Sequence, residues 1–394
     1  MKTHKLLLTA SMTLAMMISL TGCSGAIENT GMSTNENTTN GVKSNMTKIS
    51  QTPGSNSTTS DQNSTVPPLA SLQMIDSNMG WATGPKRRVW VTADGGKKWG
   101  NVTPKGFSAS SSTVVRVFGL DAKHAWVAVT NDSSVDNPVA IFHTSSGGKS
   151  WSKQQFSDVG DPITLHFRNS REGWIALMQG AAAGSESETI YDTNNGGTTW
   201  SKVGFVNLHG GPLPFYGDKT GASFINKDHG WATGFTSANG HIYLYQTTDG
   251  GKTWTLQQVT VPSQLKNTEI TSYPPMFYNQ QEGILPVSDG STLTAYRTTD
   301  GGRTWAPGKV VQSSVANQEI TAPSFPTFND GFATDGEKFF KTTDGGQTWS
   351  SLTPNVSLRN ISELEFTSST NGWALMNTRV LYHTTDGGHI WIKR

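Results

Sequence analysis

Short stretches in which apolar and polar residues alternate recur throughout residues 67–394, and turn-forming residues separate them. The segment 241–245, His-Ile-Tyr-Leu-Tyr, is one example. Because successive side chains of a β-strand point to opposite faces, such alternation predicts strands and no long helix. The stretches group into successive units, and each unit is predicted to contain about four short strands, named a to d in chain order.

One motif marks the turn between strands c and d and occurs seven times. Each copy has a threonine, a polar residue two places later, Gly-Gly and then a tryptophan. The polar residue can accept backbone N–H bonds across the turn, and glycine allows positive φ, so we interpret the motif as structural. The polar residues and their tryptophans are Asp94 and Trp99, Ser146 and Trp151, Asn195 and Trp200, Asp249 and Trp254, Asp300 and Trp305, Asp344 and Trp349, and Asp386 and Trp391.

A second column of large residues lies upstream of each turn and marks strand b. Its members are Trp81, Trp126, Trp174, Trp231, Ile284, Phe332 and Trp373. The tryptophans of successive turns are 42 to 54 residues apart, a period typical of repeat architectures. Seven four-stranded units predict an all-β fold, a single seven-bladed β-propeller. Its ring could close by packing between the first and last blades, or by a strand added from the preceding segment.

The turn motif resembles the Asp-box, or BNR repeat, and this resemblance covers essentially all of residues 67–394. Similar repeats occur in sialidases, sortilin-type receptors, xyloglucan-cleaving glycoside hydrolases and photosystem II assembly factors. A Gly-Trp-Ala strand followed by Thr-Thr-Asp-Gly-Gly-x-Thr-Trp makes the chain most similar to the last group. That resemblance implies a protein-binding assembly or stability scaffold. Repeats of this kind specify a fold better than a function.

The N-terminal segment resembles a bacterial lipoprotein signal. Two lysines, an apolar run over 6–20 and Leu-Thr-Gly before Cys23 imply a signal peptide at 1–22, lipidation of Cys23 and an anchor in the bacterial cell membrane. An ordinary signal peptide with an incidental cysteine is the alternative. Residues 24–66 contain no aromatic residue, and 24 of these 43 are Ser, Thr or Asn, so 23–66 is predicted to be a disordered tether. The propeller at 67–394 would then be extracytoplasmic.

Composition excludes several classes of function. Thirty basic against 29 acidic residues argues against a nucleic-acid binder. A single cysteine excludes a disulfide framework and a cysteine-rich zinc site, and the nine histidines form no metal motif. The Gly-Gly pairs lie in turns and do not precede helices, so no phosphate loop is predicted. We expect no cofactor and no metal, and a Ca²⁺ site at Asp132 and Asp136 is the one metal alternative.

Candidate binding residues lie in long connections on one face of the predicted propeller. In such a fold the b–c and d–a connections share the face opposite the motif turns, and long loops on a rigid scaffold often bind ligands. We expect blade three to carry an inserted loop at 179–188, and a long link to join blades three and four. The candidate residues are Lys86, Arg87 and Arg88; Asp132 and Asp136; Glu186 and Glu188; and His209, Phe215 and Tyr216.

These observations favour a non-catalytic scaffold that binds an unidentified protein partner. The resemblance to photosystem assembly factors implies that arginines on the propeller engage the client, and Arg87 and Arg88 are the candidates for that role here. The alternative is a glycan-binding protein or glycoside hydrolase, with Phe215 and Tyr216 lining a sugar site. Sialidase activity is disfavoured because the sequence has no Arg-Ile-Pro element. A further alternative is that the long loops are tolerated insertions without a ligand.

Overall fold

A computed structural model describes residues 9–10, 14–15, 66–107, 113–130, 138–155, 158–182, 185–206 and 210–394. These residues form β-strands and two short 3₁₀ turns, Pro85–Arg87 and Ser263–Leu265, which confirms the all-β prediction. Thr9–Ala10 and Leu14–Ala15 pair as a short antiparallel ladder. No helix in the described ranges has the length and apolarity needed to cross a bilayer. Cys23 and nearly all of the predicted tether lie outside the described residues.

From Val66 onward the strands form six antiparallel sheets, of which the ten-stranded one contains two of the seven sequence repeats. We number the repeats as blades one to seven. Blades one to three each contain strands a, b, c and d in spatial order, as does blade seven. The strands of these four blades are Ser71–Met74, Gly80–Thr83, Val89–Thr92 and Gly100–Asn101; Val114–Gly119, Ala125–Thr130, Ala140–Thr144 and Ser152–Gln155; Asp161–Phe167, Gly173–Ala182, Ser185–Thr193 and Ser201–Val206; and Ile361–Phe366, Gly372–Met376, Leu381–Thr384 and Ile392–Lys393.

Blades four, five and six depart from this regular pattern. Strand Ile270–Ser272 pairs with strand b of blade four and with strand b of blade five, so these two blades share one sheet. In blade six a bridge between Ser324 and Phe332 takes the place of a full strand a, where nearby prolines supply no N–H donors. The strands of these blades are Asp218–Phe224, Gly230–Thr236, Tyr243–Thr247 and Thr255–Leu256; Ile270–Ser272, Met276–Phe277, Gly283–Ser288, Thr292–Thr298, Ala306–Pro307 and Val311–Gln312; and Gly331–Thr334, Phe339–Thr342 and Ser350–Leu352.

The turns between strands c and d are built alike in all seven units. In the first, Asp94 Oδ1 accepts a hydrogen bond from the Lys98 amide at 2.8 Å, and Thr92 Oγ1 accepts one from the Gly96 amide at 3.0 Å. Gly95 has a φ of 71° and donates its N–H to the Asn78 carbonyl in the a–b turn, at 2.9 Å. The a–b and c–d turns therefore lie together on one face, which we call the motif face.

Large side chains of neighbouring blades form the core between them. Trp126 of blade two stacks on Phe167 of blade three with ring centroids 3.6 Å apart, and Phe332 of blade six stacks on Phe366 of blade seven at 3.7 Å. Each pair joins a strand-b residue to the strand-a phenylalanine of the next blade. The upstream column of aromatic residues therefore packs blade against blade.

The ring closes by side-chain packing between blades seven and one. Trp373 is fully buried among Val66, Leu69 and Leu72, and its indole N–H donates to the Gly95 carbonyl at 3.1 Å. Within the described ranges, the first strand of blade one pairs only with its own strand b. The described residues thus show the packing contact between the first and last blades, and the segment that would add a strand lies outside them.

Candidate functional site

The structure brings together four of the residues predicted to bind a partner. Glu186 and Glu188, at the start of strand c of blade three, lie against the link that carries Phe215 and Tyr216 to blade four. The Glu186 amide donates to the Phe215 carbonyl at 3.2 Å, and Ser185 forms a parallel bridge with Gly217. Asp132, Asp136 and His209 lie outside the described residues.

The prediction of an inserted loop at 179–188 is wrong. Strands Gly173–Ala182 and Ser185–Thr193 continue almost to their junction as a long hairpin, with a register irregularity between Met178 and Ala181. Glu186 and Glu188 are two residues apart on one strand, so they share a face of the sheet, and that face is covered. Their exposed fractions are 3% and 0%, which means that neither carboxyl is available to a ligand in solution.

Lys219 covers these carboxyls and holds the link in place. Its side chain is 4% exposed, and Nζ lies 2.8–3.2 Å from five carbonyl oxygens. Since an ammonium group has three protons, some of these hydrogen bonds are shared. One carbonyl belongs to Glu186, and the others belong to the consecutive residues Pro214, Phe215, Tyr216 and Gly217. We call residues 214–217 the strap.

The charges beneath the strap are strongly perturbed by burial. Removal from water raises the pKa of Glu186 to about 7, although its carboxylate accepts a hydrogen bond from the Lys219 amide. Burial also raises the pKa of Glu188, and it lowers the pKa of Lys219, which both glutamates oppose. Neither carboxyl oxygen of Glu188 has a hydrogen-bond partner among the described residues. The lysine charge is therefore the main group compensating these two acids.

The strap and the neighbouring end of blade three expose Tyr216 and Phe205 to solvent, while Phe215 is partly buried against the core. The Tyr216 hydroxyl is hydrogen-bonded to that of Tyr245, yet Tyr216 is 44% exposed. Phe205, at the end of blade three, is 37% exposed, and its carbonyl accepts a hydrogen bond from the Leu213 amide. We call Phe205, Phe215 and Tyr216 the aromatic surface. Among described residues, the other large hydrophobic side chains with comparable exposure are Ile390 and Ile392.

The predicted cationic cluster forms a tight turn in the b–c connection of blade one. Lys86 and Arg87 have φ values of 56° and 58°, in the left-handed region that non-glycine residues seldom adopt. The Gly84 amide donates to the Arg88 carbonyl at 2.9 Å and closes the turn. Lys86 and Arg88 are exposed, while Arg87 is partly buried. No described contact joins this turn to the aromatic surface, since blade two lies between them.

A second buried polar network follows the innermost strands. Glu363 of blade seven accepts a hydrogen bond from the Leu72 amide of blade one at 2.5 Å. Arg116 of blade two donates from Nε to the Pro162 carbonyl of blade three at 2.9 Å. Burial raises the pKa of Glu363 to about 8, against the opposing effects of the Leu72 amide and the Arg116 charge. These groups connect four blades around the centre of the ring.

Next to this network lies a cavity of about 520 Å³ lined by Glu365, His166 and Gln73, among others. Burial and the nearby Glu363 raise the pKa of Glu365 well above its usual range. Burial lowers the pKa of His166 to about 4, and its ring lies 4.6 Å from the Phe118 ring and 4.5 Å from the Trp174 ring. In the described ranges, no three His, Cys, Asp or Glu side chains are grouped as metal ligands would be.

The buried glutamates predict that the folded protein loses stability as the pH rises from about 7.5 to 9. Above about pH 7.5, one unit beyond the ordinary imidazole pKa, the histidines are almost entirely neutral in both states, whereas Glu363 and Glu365 keep protons in the folded state that the unfolded chain has lost. Glu186 and Glu188 act in the same direction, and Lys219 opposes them. We expect the free energy of unfolding, measured with urea, to fall by about 1–3 kcal/mol over this range. The Glu365→Gln variant should show a shallower slope, and an unchanged slope would contradict this account.

Sequence reasoning missed Lys219, Arg116, Glu363 and Glu365. Each lies on a strand, at a buried position where a charged residue is unusual. A charged residue within a strand segment was the sequence signal that could have identified them. The partners could not be inferred in the same way, because Lys219 and Glu188 come from different blades.

The comparisons agree with this architecture. A family model described as "Photosynthesis system II assembly factor YCF48" matches residues 57–208. No curated protein matches the chain. A solved structure of YCF48 bound to a D1 peptide superposes with a TM-score of 0.52 at 16% identity, covering 82% of this chain and 92% of that one.

Two other solved structures show lower TM-scores. YCF48 from Cyanidioschyzon merolae is 19% identical, with a TM-score of 0.48, and the match covers 80% of this chain and 92% of that one. The GH74 enzyme from Niastella koreensis is 13% identical, with a TM-score of 0.36, and the match covers 82% of this chain and 62% of that one. The chain is therefore an all-β propeller of BNR-type repeats that resembles the photosystem II assembly factor YCF48.

Proposed function

We propose that this protein is a non-catalytic, extracytoplasmic scaffold, anchored by lipid at Cys23, that docks a protein partner on the face opposite the motif turns. One observation carries the docking proposal: the exposed Tyr216, with Phe215 beside it, lies on a strap whose four carbonyl oxygens accept hydrogen bonds from one buried lysine. A rigid aromatic anchor gives contact area at low entropic cost, which is typical of protein interfaces. The YCF48 structure that carries a D1 peptide supports the same class of function.

The buried carboxyls make a hydrolytic role a weaker proposal. Glu186 and Glu188 are covered by the strap, so a polysaccharide has no access to them in this arrangement. A general acid must reach its substrate within hydrogen-bond distance. We therefore assign the two glutamates to holding Lys219, and the outer aromatic surface to binding.

Site-specific photo-crosslinking in the native cells tests the docking surface. A photoreactive phenylalanine analogue replaces Tyr216 in one variant and Ile390 in a matched control, because both side chains are exposed and belong to different blades. We expect one dominant protein to be linked from position 216 and not from position 390. Equal patterns from both positions, or linkage only to polysaccharide, would overturn the proposal. Release of reducing sugar that the Glu186→Gln variant abolishes would instead identify a glycosidase.

The cationic turn is expected to contribute to partner capture by long-range attraction and rim contacts. The Arg87→Glu, Arg88→Glu double variant should reduce capture of the protein linked from position 216 by about tenfold, as charge reversal at an interface rim does. Thermal stability should change by less than about 1 kcal/mol, since the turn is at the surface. An Arg171→Glu, Arg303→Glu variant, with changes on the motif face, is the control. Capture equal to wild type would remove the turn from the site.

A further inference from the structure

A groove on the motif face, between the turns of blades one and two, carries an unbalanced positive charge. It has a volume of about 870 Å³, and its lining includes Lys98, Lys123 and Lys149. All three lysines are exposed, and none of them forms an ion pair with a described residue. Asp94 is the acidic residue in the lining, and it is engaged by Thr92 and by the Lys98 amide within its own turn.

The uncharged Ser146 helps to explain the excess of positive charge in the groove. Five of the seven turns have aspartate at the equivalent position. Of the two turns that border this groove, the one in blade one has Asp94, whereas the one in blade two has serine. The Ser146 hydroxyl makes the required contact without a charge, because it accepts a hydrogen bond from the Ser150 amide at 3.0 Å. The turn therefore keeps its hydrogen bond without an aspartate. The groove is lined by three lysines and one aspartate, which leaves a net charge of two positive units.

The groove also has an apolar floor and a free strand edge. Met79, Val91 and Ala122 line it beside the lysines, so a purely ionic ligand would leave apolar surface uncovered. Gly100, from the outermost strand of blade one, lines it too, and in the described ranges that strand pairs only with Val89–Thr92. An extended peptide can use such an edge, its backbone pairing with the strand.

We propose that this groove binds an acidic, partly apolar segment of another protein, and that serine at position 146 keeps the groove attractive to it. The groove is on the opposite face from the aromatic surface, so binding here does not depend on the docking proposed above. The three ammonium groups attract the carboxylates, the floor accepts the apolar side chains, and the attraction weakens with salt because the charges are exposed.

Introducing aspartate at position 146, as in five of the other turns, tests the proposal with little risk to the fold. The probe is a fluorescein-labelled peptide in which glutamate alternates with leucine and alanine, and its glutamine counterpart is the negative probe. Ser146→Asp should weaken binding of the acidic probe about three- to tenfold at about 0.05 M salt. Asn195→Asp makes the same kind of change in the next turn, which does not line the groove, and should alter binding less than twofold.

A Lys98→Gln, Lys123→Gln, Lys149→Gln variant should lose at least about thirtyfold in affinity for the probe, and about 0.5 M salt should have a comparable effect on wild type. If Ser146→Asp and Asn195→Asp weakened binding of the acidic peptide equally, the proposal would be overturned, because the effect would then come from the net charge of the protein and not from the groove. Binding of inorganic polyphosphate or phosphatidylglycerol vesicles in preference to the peptide would overturn it as well. Unfolding midpoints of all variants within a few degrees of wild type would show that the turns are intact.

Discussion

Replacing Trp373 by alanine is expected to lower the free energy of unfolding by about 3–5 kcal/mol and to make the ring come apart at one joint. Trp373 is fully buried between blades seven and one, and its indole N–H bonds to the Gly95 carbonyl across that joint. No described backbone ladder crosses the joint, so side-chain packing and the Glu363 bond to the Leu72 amide hold it. Urea unfolding should show a smaller m-value or a second transition, because the end blades would separate first.

Trp231→Ala is the matched control for this effect. Trp231 is equally buried in the same column, and its ring stacks on Phe277 of the next blade at 4.9 Å. Blades four and five are also joined by strand Ile270–Ser272, which pairs with both. A similar loss of stability with a single unfolding transition is therefore expected. If Trp373→Ala also unfolds in one transition with an unchanged m-value, the ring does not depend on this joint.

The repeat fold was largely predictable from sequence because its determinants are local. Each motif turn uses residues within eight positions of one another, such as Thr92, Asp94 and Gly96, and the same bonds recur in every unit. The positions of strands a and b follow from their spacing to the turn. Ring closure was not predictable, because Trp373 and Gly95 are 278 residues apart and nothing in either local sequence specifies the other.

The candidate site was predictable only in part. Loop length and aromatic content drew attention to Phe215 and Tyr216, which belong to the strap, and their role in binding stays a prediction. The same reasoning placed Glu186 and Glu188 in an inserted loop, whereas they are buried on a strand, where acidic residues are rare without a partner. Their partner, Lys219, lies in the next blade, and it allows the carboxyls to be covered. A contact between blades has no signature in the sequence of either blade.

Replacing Lys219 by methionine is expected to destabilise the protein by about 3–5 kcal/mol, because it removes one member of a buried charge network. The variant keeps the length of the side chain but leaves four strap carbonyls without their donor, and without the cation Glu186 and Glu188 must take up protons to stay buried. Urea unfolding at pH 7 measures the loss, and limited proteolysis should show new cleavage within 210–217. Lys202→Met is the control, since its ion pair with Asp158 is half exposed and should contribute at most about 1 kcal/mol.

A second substitution distinguishes charge from packing as the cause. In the Lys219→Met, Glu188→Gln double variant the carboxyl that has no described hydrogen-bond partner is replaced by a neutral amide, so the largest electrostatic cost is absent. The double variant should recover about half of the lost stability. The effects of the two substitutions on the free energy of unfolding should therefore be strongly non-additive, as is usual for residues in contact within one network. Strict additivity, or a loss below about 1 kcal/mol for Lys219→Met alone, would show that the ammonium does not hold the strap. The exposed aromatic residues would then lack the rigid base on which the proposed docking surface depends.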